Sequence, residues 1–144
     1  MKNKIQPVIF SVILAIFLML IGNPAAAYDK KSVVERFTNC SCGPCATINN
    51  AWYNATTASF INSGSISHII YNVDWPSPTD PMHLLNIVDN SNRTSYYGVN
   101  SVPWIEINGA TVTASQAAVL NAVSSGNAEY SPFNIVLTDR KSVV

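Results

Sequence analysis

Residues 42–45 are Cys42-Gly43-Pro44-Cys45, and they lie just beyond a short apolar segment, Ser32–Thr38, that is typical of a buried strand. Pro44 suits the first turn of a helix, where its missing N–H costs nothing. Two thiols three positions apart at a helix start can form a disulfide that closes a small loop. The first thiol lies where the helix N-terminus favours a thiolate, the attacking form in disulfide exchange. This stretch therefore predicts a redox-active pair after a strand.

The segments after the cysteine pair continue the pattern of alternating helices and strands. Apolar residues recur at helical spacing on one predicted face, namely Ile48, Ala51, Trp52, Ala55 and Ala58. Asn62-Ser63-Gly64 is expected to end this helix. Ile66–Val73 alternates and is β-branched, so it is predicted to be a second strand.

The middle of the chain contains a loop and a shorter helix. Asp74–Pro81 holds three prolines and is expected to be irregular. Leu84, Ile87 and Val88 indicate a short helix that ends near Arg93.

The last third of the chain favours a hairpin followed by a helix. Trp104–Ile107 is the third predicted strand, and Asn108-Gly109 is a strong hairpin signal because both residues tolerate positive φ. Thr111–Thr113 is then the fourth strand. A helix follows with Ser115 as its N-cap, an apolar face through Val119 and Val123, and an end at Gly126. The order β-α-β-α-β-β-α predicts an α/β fold with a mixed four-stranded sheet and helices on both faces.

The N-terminus has the features of an export signal. Lys2 and Lys4 precede an apolar run, Val8–Ile21, that only Ser11 interrupts, and Ala25-Ala26-Ala27 supplies small residues for cleavage. The run has 14 residues, fewer than the roughly 20 needed to span a bilayer. We therefore expect cleavage between Ala27 and Tyr28 and a periplasmic, outer-membrane-associated or secreted protein without a membrane span.

Composition excludes several other classes. Of 144 residues, 48% are hydrophobic and 11% are charged, which does not fit a disordered chain. Eight basic residues balance eight acidic ones, so no basic field indicates nucleic-acid binding. Three cysteines are too few for a scaffold held together by disulfides.

The predicted domain organisation has three parts. Residues 1–27 are the signal peptide, residues 28–128 form one domain, and residues 129–144 are a tail. Within the tail, Tyr130–Leu137 resembles a strand with nothing to pair against. The tail is therefore expected to be the start of a missing or truncated β-domain.

The chain resembles the thioredoxin superfamily. The residues that carry this resemblance are Phe37, Cys42-Gly43-Pro44-Cys45 and the segment Gly98-Val99-Asn100-Ser101-Val102-Pro103 before the third strand. Within the superfamily, the chain is most similar to the exported branch related to outer membrane protein 28. The resemblance implies a thioredoxin-like fold, a cis Pro103 facing the cysteines, and thiol–disulfide oxidoreductase activity without an organic or metal cofactor.

Several positions depart from the pattern of the superfamily, among them Ser41 before the first cysteine, where Trp is usual, and the extra thiol Cys40. Many thioredoxins carry a buried carboxylate six residues before the first cysteine, and that position is Arg36 here. Glu35 is one residue away and therefore lies on the opposite face of a strand. Proton relay through such a carboxylate is accordingly in doubt. The residue after the expected cis proline is Trp104 rather than the frequent Thr.

The resemblance implies roles for the site residues. Cys42 is expected to be the attacking thiolate and Cys45 the resolving thiol, and the two are expected to form a disulfide. Val102 and Pro103 are expected to hold an extended substrate segment. Trp75 and Trp104 are candidates for an apolar rim at the substrate site, because exposed aromatic residues mark interaction surfaces.

Rival interpretations of the cysteines stay open. The expected substrates are protein thiols or disulfides, served by an unknown electron donor or acceptor, and the direction of electron flow is not predicted. The second interpretation is a non-catalytic binding module of a cell-surface protein, with a structural disulfide. The third is a metal site of Cys40, Cys42 and Cys45. A structural zinc site needs a fourth ligand, for which His68 and His83 are distant in sequence, so Cys40 is expected to be free and no metal is expected. His68 is expected to be hydrogen-bonded within its strand, and His83 to be exposed.

Overall fold

The computed structural model describes residues 27–133, and residues Asp29–Ser131 form one compact unit. The predicted signal peptide and residues 134–144 of the predicted tail lie outside the described residues. The strands are β1 Tyr28–Asp29, β2 Ser32–Thr38, β3 Ile66–Asn72, β4 Trp104–Ile107, β5 Ala110–Val112 and β6 Tyr130–Ser131. The helices are α1 Gly43–Ile48, α2 Asn54–Asn62, α3 Pro81–Leu85, α4 Ile87–Tyr97 and α5 Gln116–Asn127, and a π-helical segment, Asn49–Tyr53, joins α1 to α2.

The four-stranded sheet has the order β3-β2-β4-β5. Strand β2 runs parallel to β3 and antiparallel to β4, and β4 is antiparallel to β5. Asn108 and Gly109 both have positive φ, at 53° and 81°, in the hairpin between β4 and β5. The predicted fold class and element order are therefore confirmed, with β5 one residue earlier than expected.

Alternate residues of β2 face opposite layers of helices. Val34 packs in a core with Tyr53, Val119 and Val123 from the π-helical segment and α5. Phe37 packs on the other face, where its ring meets the ring of Tyr97 edge to face. The sheet thus has helices on both faces, and β2 is buried between them.

The first helix buries a different face from the predicted one. Ala51, Ala55 and Ala58 are exposed, whereas Tyr53 and Thr57 are buried. A π-helical turn takes up an extra residue, so the inward face shifts by one position beyond Ile48. The spacing of apolar residues does not reveal this insertion.

The second helical region also differs from the prediction. It consists of two helices that are separated at Asn86. The second helix ends at Gly98 rather than near Arg93, and Gly98 has left-handed backbone with φ of 62°. The apolar residues that predicted the helix are exposed, since Leu84 is 53% and Val88 is 67% accessible. The inward face is polar instead, as the next subsection describes.

Two further predictions are corrected. His83 is buried rather than exposed, because its Nδ1 lies 2.7 Å from the carbonyl oxygen of Asn72. Tyr130–Ser131 does have a partner, since β6 pairs with β1 in a separate two-stranded sheet. The continuation of that predicted strand to Leu137 lies outside the described residues.

Gly126 lies inside α5, where a side chain has no room. A Cβ atom at this position would lie 2.3 Å from Asn108 Nδ2 and 2.4 Å from Ser32 Oγ. Both neighbours are held in place, because Asn108 Oδ1 accepts from Val33 N at 2.9 Å and Asn108 Nδ2 donates to Ser32 Oγ at 3.2 Å. This packing joins α5 to the start of β2 and to the hairpin.

We expect Gly126→Ala to destabilise the fold, although alanine favours a helix by about 1 kcal/mol over glycine. The clash disrupts the Asn108–Ser32 hydrogen bond, and the net loss in the free energy of unfolding is about 1–3 kcal/mol. Urea denaturation measures it. Gly43→Ala is the control, because a Cβ at Gly43 would meet nothing within 4 Å. Equal stability of the two variants would contradict the packing argument.

Candidate redox site

The buried side chain of Asn39 helps to hold the loop between β2 and α1. Its amide nitrogen donates to the carbonyl oxygens of Val73 at 2.8 Å and Ser77 at 2.9 Å. Its carboxamide oxygen accepts from Ser41 N at 2.9 Å, and its backbone carbonyl accepts from Cys42 N at 3.1 Å. Asn39 therefore ties the cysteine loop to the proline-containing loop after β3.

Cys42 and Cys45 form a disulfide, as expected, with their Cα atoms 5.2 Å apart. Cys42 is the N-cap of α1, and its sulfur accepts from the backbone N–H of Cys45 at 3.1 Å. Backbone N–H groups of a helix start stabilise negative charge on a nearby sulfur, so this geometry favours a thiolate on Cys42 after reduction. Cys42 is 5% and Cys45 is 1% accessible.

A groove of about 360 Å³ opens beside Cys42 and is lined mainly by apolar surface. Pro44, Trp75, Pro76 and Val102 contribute to its walls, and Cys45 is not among the residues that line it. The peptide bonds Trp75–Pro76 and Val102–Pro103 are both cis. The carbonyl oxygen of Val102 lies 3.7 Å from the sulfur of Cys42.

The structure brings together most of the predicted site residues. Trp75 and Val102 line the groove beside Cys42, and Pro103 follows directly in the chain. Trp104 is not among the residues that line the groove; it packs against the Phe37 cluster, as Trp75 and Val102 do, and its indole N–H donates to Glu106 Oε1 at 2.7 Å. Pro76 also lines the groove but was not predicted as a site residue, although the three prolines of Asp74–Pro81 could have indicated it.

A larger depression, of about 610 Å³, lies along β3, α3 and α4. Exposed apolar side chains, among them Ile70 and Leu85, form part of its wall. No cysteine lines it, so the thiol chemistry points to the smaller groove.

Arg36 lies beside the cysteine pair on the inner face of β2 and is only 3% accessible. Its guanidinium lies 4.1 Å from the centre of the Tyr53 ring, and it donates to Asn49 Oδ1 and to the backbone carbonyl of Cys45, the latter at 3.5 Å. Burial lowers the pKa of Arg36 from its ordinary value, and burial raises the pKa of Tyr53 to about 12. The tyrosine is therefore neutral near pH 7. The sequence identified the position of Arg36 but not its contacts.

His68 belongs to the same cluster. Its Nε2 lies 3.0 Å from the hydroxyl of Tyr53. Burial, together with the charge of Arg36, lowers the pKa of His68. The histidine is therefore a neutral hydrogen-bonded residue of the sheet, as expected.

Glu35 faces the opposite side of β2 and is held by α4. Its carboxylate accepts from Arg93 Nε at 2.6 Å, Arg93 Nη2 at 2.9 Å and the Tyr97 hydroxyl at 2.6 Å. In the sheet, Glu35 is directly opposite Glu106, which is 1% accessible and accepts from Trp104 and Thr111. Both carboxylates lie on the face away from Arg36 and Cys45, so neither occupies the carboxylate position of the superfamily.

Cys40 is free and exposed. Its backbone N–H donates to Asp80 Oδ2 at 2.6 Å. Burial alone would raise the pKa of Asp80, but hydrogen bonds from the backbones of Cys40, Met82 and His83 outweigh it and lower this pKa. Among residues 27–133, no three His, Cys, Asp or Glu side chains are grouped as ligands for a metal ion.

Comparison with known proteins supports the fold. No protein-family model matches the chain, and neither does any curated protein. A crystal structure of a protein from Agrobacterium tumefaciens is similar at 23% identity and a TM-score of 0.50, over 69% of this chain and 46% of that one. A thioredoxin from Fasciola hepatica matches at 16% identity and a TM-score of 0.44, over 68% of this chain and 83% of that one. This chain therefore spans about half the length of the Agrobacterium protein. The strand order and the cysteine pair at the start of α1 make the fold thioredoxin-like.

The ion pair of Glu35 predicts a pH dependence of stability. Burial alone would raise the pKa of Glu35, but hydrogen bonds from Arg93 and Tyr97 outweigh it, so this pKa lies below its usual value. A carboxylate with a depressed folded-state pKa contributes stability above its unfolded pKa of about 4.3, and this contribution is lost as the pH falls through the folded value.

We expect Glu35→Gln to lower the free energy of unfolding by about 2 kcal/mol at pH 7, the range for a hydrogen bond to a charged group. The difference from wild type should shrink below about pH 4. Urea titrations over this pH range measure it. Glu129→Gln is the control, because the Lys30–Glu129 pair is at the surface, where a pair contributes at most about 1 kcal/mol. A difference that persists unchanged to pH 2 would contradict the role of the charge.

Proposed function

We propose that the protein is an extracytoplasmic thiol–disulfide oxidoreductase that acts through Cys42 and Cys45. The observation that carries the proposal is the position of Cys42. Its sulfur accepts a helix-start N–H and borders an apolar groove, while Cys45 lies one turn deeper. This arrangement places the attacking sulfur at the groove and the resolving one away from it.

The exchange proceeds in two balanced steps. The thiolate of Cys42 attacks one sulfur of a substrate disulfide, a mixed disulfide forms, and the other substrate sulfur leaves as a thiolate. Cys45 loses its proton and attacks the Cys42 sulfur, which forms the Cys42–Cys45 disulfide and releases the second substrate thiolate. Two electrons pass to the substrate. The reverse sequence oxidises a substrate dithiol.

The groove favours an extended segment with an apolar side chain next to its cysteine. Trp75 is half-buried and offers an aromatic wall, and Pro76 extends it. The backbone carbonyl of Val102 lies 3.7 Å from the Cys42 sulfur, where the backbone can pair with an extended chain as an added strand does. Protein substrates with a local apolar residue are therefore preferred.

Export is part of the proposal. The segment 1–27 has the order of a secretory signal, and a disulfide persists outside the cytoplasm. No helix among residues 27–133 is long and apolar enough to cross a membrane. The relation to the exported branch of the thioredoxin superfamily, and a β-domain after residue 128, belong to the same proposal.

One observation favours a second function, a non-catalytic binding module with a structural disulfide. Both sulfurs are almost inaccessible, with Cys42 at 5% and Cys45 at 1%. An inert disulfide resists reduction, so the rate of exchange with a small thiol separates the two functions.

Replacing each cysteine tests the assigned roles. We expect Cys42→Ser to abolish the catalysed reduction of insulin with dithiothreitol as the electron donor, because the attacking thiolate is lost. Cys45→Ser should retain attack and accumulate mixed disulfides, because the resolving thiol is lost. Mass spectrometry after non-reducing gel separation detects them. Cys40→Ser is the control and should keep wild-type activity. Full activity in either of the first two variants would refute the mechanism.

Replacing the aromatic wall tests the groove. We expect Trp75→Ala to raise the KM for a peptide disulfide with an apolar flanking residue by five- to tenfold, about 1–1.4 kcal/mol. The value of kcat should change little, because the cysteines are untouched. Tyr96→Ala removes another exposed aromatic side chain, on α4 and outside the groove, and should leave KM unchanged. Equal KM values for both variants would exclude a substrate contact at Trp75.

A further inference from the structure

Arg36 is a buried cation without a carboxylate partner among the described residues. Its polar contacts are the neutral side-chain oxygen of Asn49 and the backbone carbonyl of Cys45. The Nε atom is buried and has no hydrogen-bond partner among residues 27–133. A buried charge is usually paired, because desolvation without an opposite charge is costly.

The neighbouring titratable groups do not neutralise this charge. Tyr53 and His68 face Arg36 from the π-helical segment and β3, and both are neutral near pH 7 for the reasons given above. Glu35 lies on the other face of β2 and is paired with Arg93. The surroundings of Cys45 therefore carry an uncompensated positive charge in a region of low dielectric.

The redox pair can supply the missing negative charge in one state only. The disulfide is neutral, whereas the reduced pair carries a thiolate whenever a thiol loses its proton. A positive charge in a low-dielectric region stabilises a nearby anion much more strongly than it would in water. Arg36 thus favours the reduced state over the oxidised one.

We propose that Arg36 is a positioning residue that stabilises the thiolate state of the Cys42–Cys45 pair and so makes the protein an oxidant of substrate dithiols. This inference rests on the proposed function and gives it a direction. It also assigns a purpose to a cation at the position where the superfamily often has a carboxylate.

The oxidation balances as follows. A substrate thiolate attacks the sulfur of Cys42, the Cys42–Cys45 bond breaks, and Cys45, whose backbone carbonyl accepts from Arg36, leaves as a thiolate. The second substrate thiol loses its proton and attacks the substrate sulfur of the mixed disulfide, which releases Cys42 as a thiolate. That proton stays on the reduced pair, which therefore carries one thiolate, and Arg36 compensates its charge. The substrate gains a disulfide and the pair gains two electrons, and an external low-molecular-weight disulfide reoxidises the pair.

The sharpest test changes the charge near Arg36 while it keeps the shape of the site. Asn49→Asp places a carboxylate against the guanidinium of Arg36, and the aspartate side chain has nearly the same volume as that of asparagine. Asn50→Asp makes the same change one residue further on, where the side chain is exposed. Both variants are made in a Cys40→Ser background and equilibrated with glutathione and glutathione disulfide at pH 7. The reduced fraction of the pair is then counted by alkylation and mass spectrometry.

We expect Asn49→Asp to shift the equilibrium at least tenfold towards the Cys42–Cys45 disulfide, which is about 30 mV for two electrons. Asn50→Asp should shift it less than twofold. Equal constants for these two variants would overturn the role of Arg36. A pair that never exchanges with glutathione in the wild-type chain would instead overturn the proposed function.

A second pair of variants covers the case in which Asn49→Asp does not fold. Arg36→Met removes the charge but keeps the apolar stem, and replacing buried charges by apolar residues of similar volume is often tolerated. It should shift the equilibrium in the same direction as Asn49→Asp, whereas Arg36→Lys should stay near wild type. A constant for Arg36→Met that equals the wild-type value would also refute the inference.

Discussion

Strand β2 carries two buried charges side by side, Glu35 and Arg36, and the alternation of a strand sends them to opposite faces of the sheet. A register shift of one residue would exchange the two charges and leave each without its contacts. Glu35 needs the guanidinium of Arg93 on α4, and Arg36 needs the ring of Tyr53 in the π-helical segment. The register of β2 thus decides which helix layer covers which face.

The layer on the Glu35 side is held by polar contacts as much as by apolar packing. Asp80 caps α3 through the N–H groups of Met82 and His83, and Asn90 donates to the carbonyls of the same two residues. The same Asp80 accepts from the backbone of Cys40, so the capping of α3 and the position of the cysteine loop depend on one carboxylate. The apolar residues of α3 and α4 are free to face outwards because they are not needed for this packing.

How far the sequence could predict this molecule depends on the range of each signal. The cysteine motif, the Asn108-Gly109 turn and the order of helices and strands along the chain were predicted correctly, because each is encoded in a few adjacent residues or in their period. The outward position of Leu84 and the buried position of His83 were not, because both depend on hydrogen bonds to residues in other elements. The π-helical segment leaves no local mark at all. The same limit applies to Arg36, whose partners Asn49 and Tyr53 lie 13 and more positions along the chain.

In the proposed exchange, two independent features of the site favour different roles for the two sulfurs, and they agree. Access assigns attack to Cys42, since Cys42 lines the groove and Cys45 does not. Electrostatics assigns departure to Cys45, since the guanidinium of Arg36 lies against the backbone of that residue. A substrate thiolate that enters the groove meets Cys42 first, and the bond it breaks places negative charge on Cys45, whose backbone carbonyl accepts from the buried cation. Cys45 and Arg36 are both shielded from water. The burial of each residue therefore strengthens the same electrostatic interaction, because a shielded cation acts most strongly on a sulfur that is shielded in the same way.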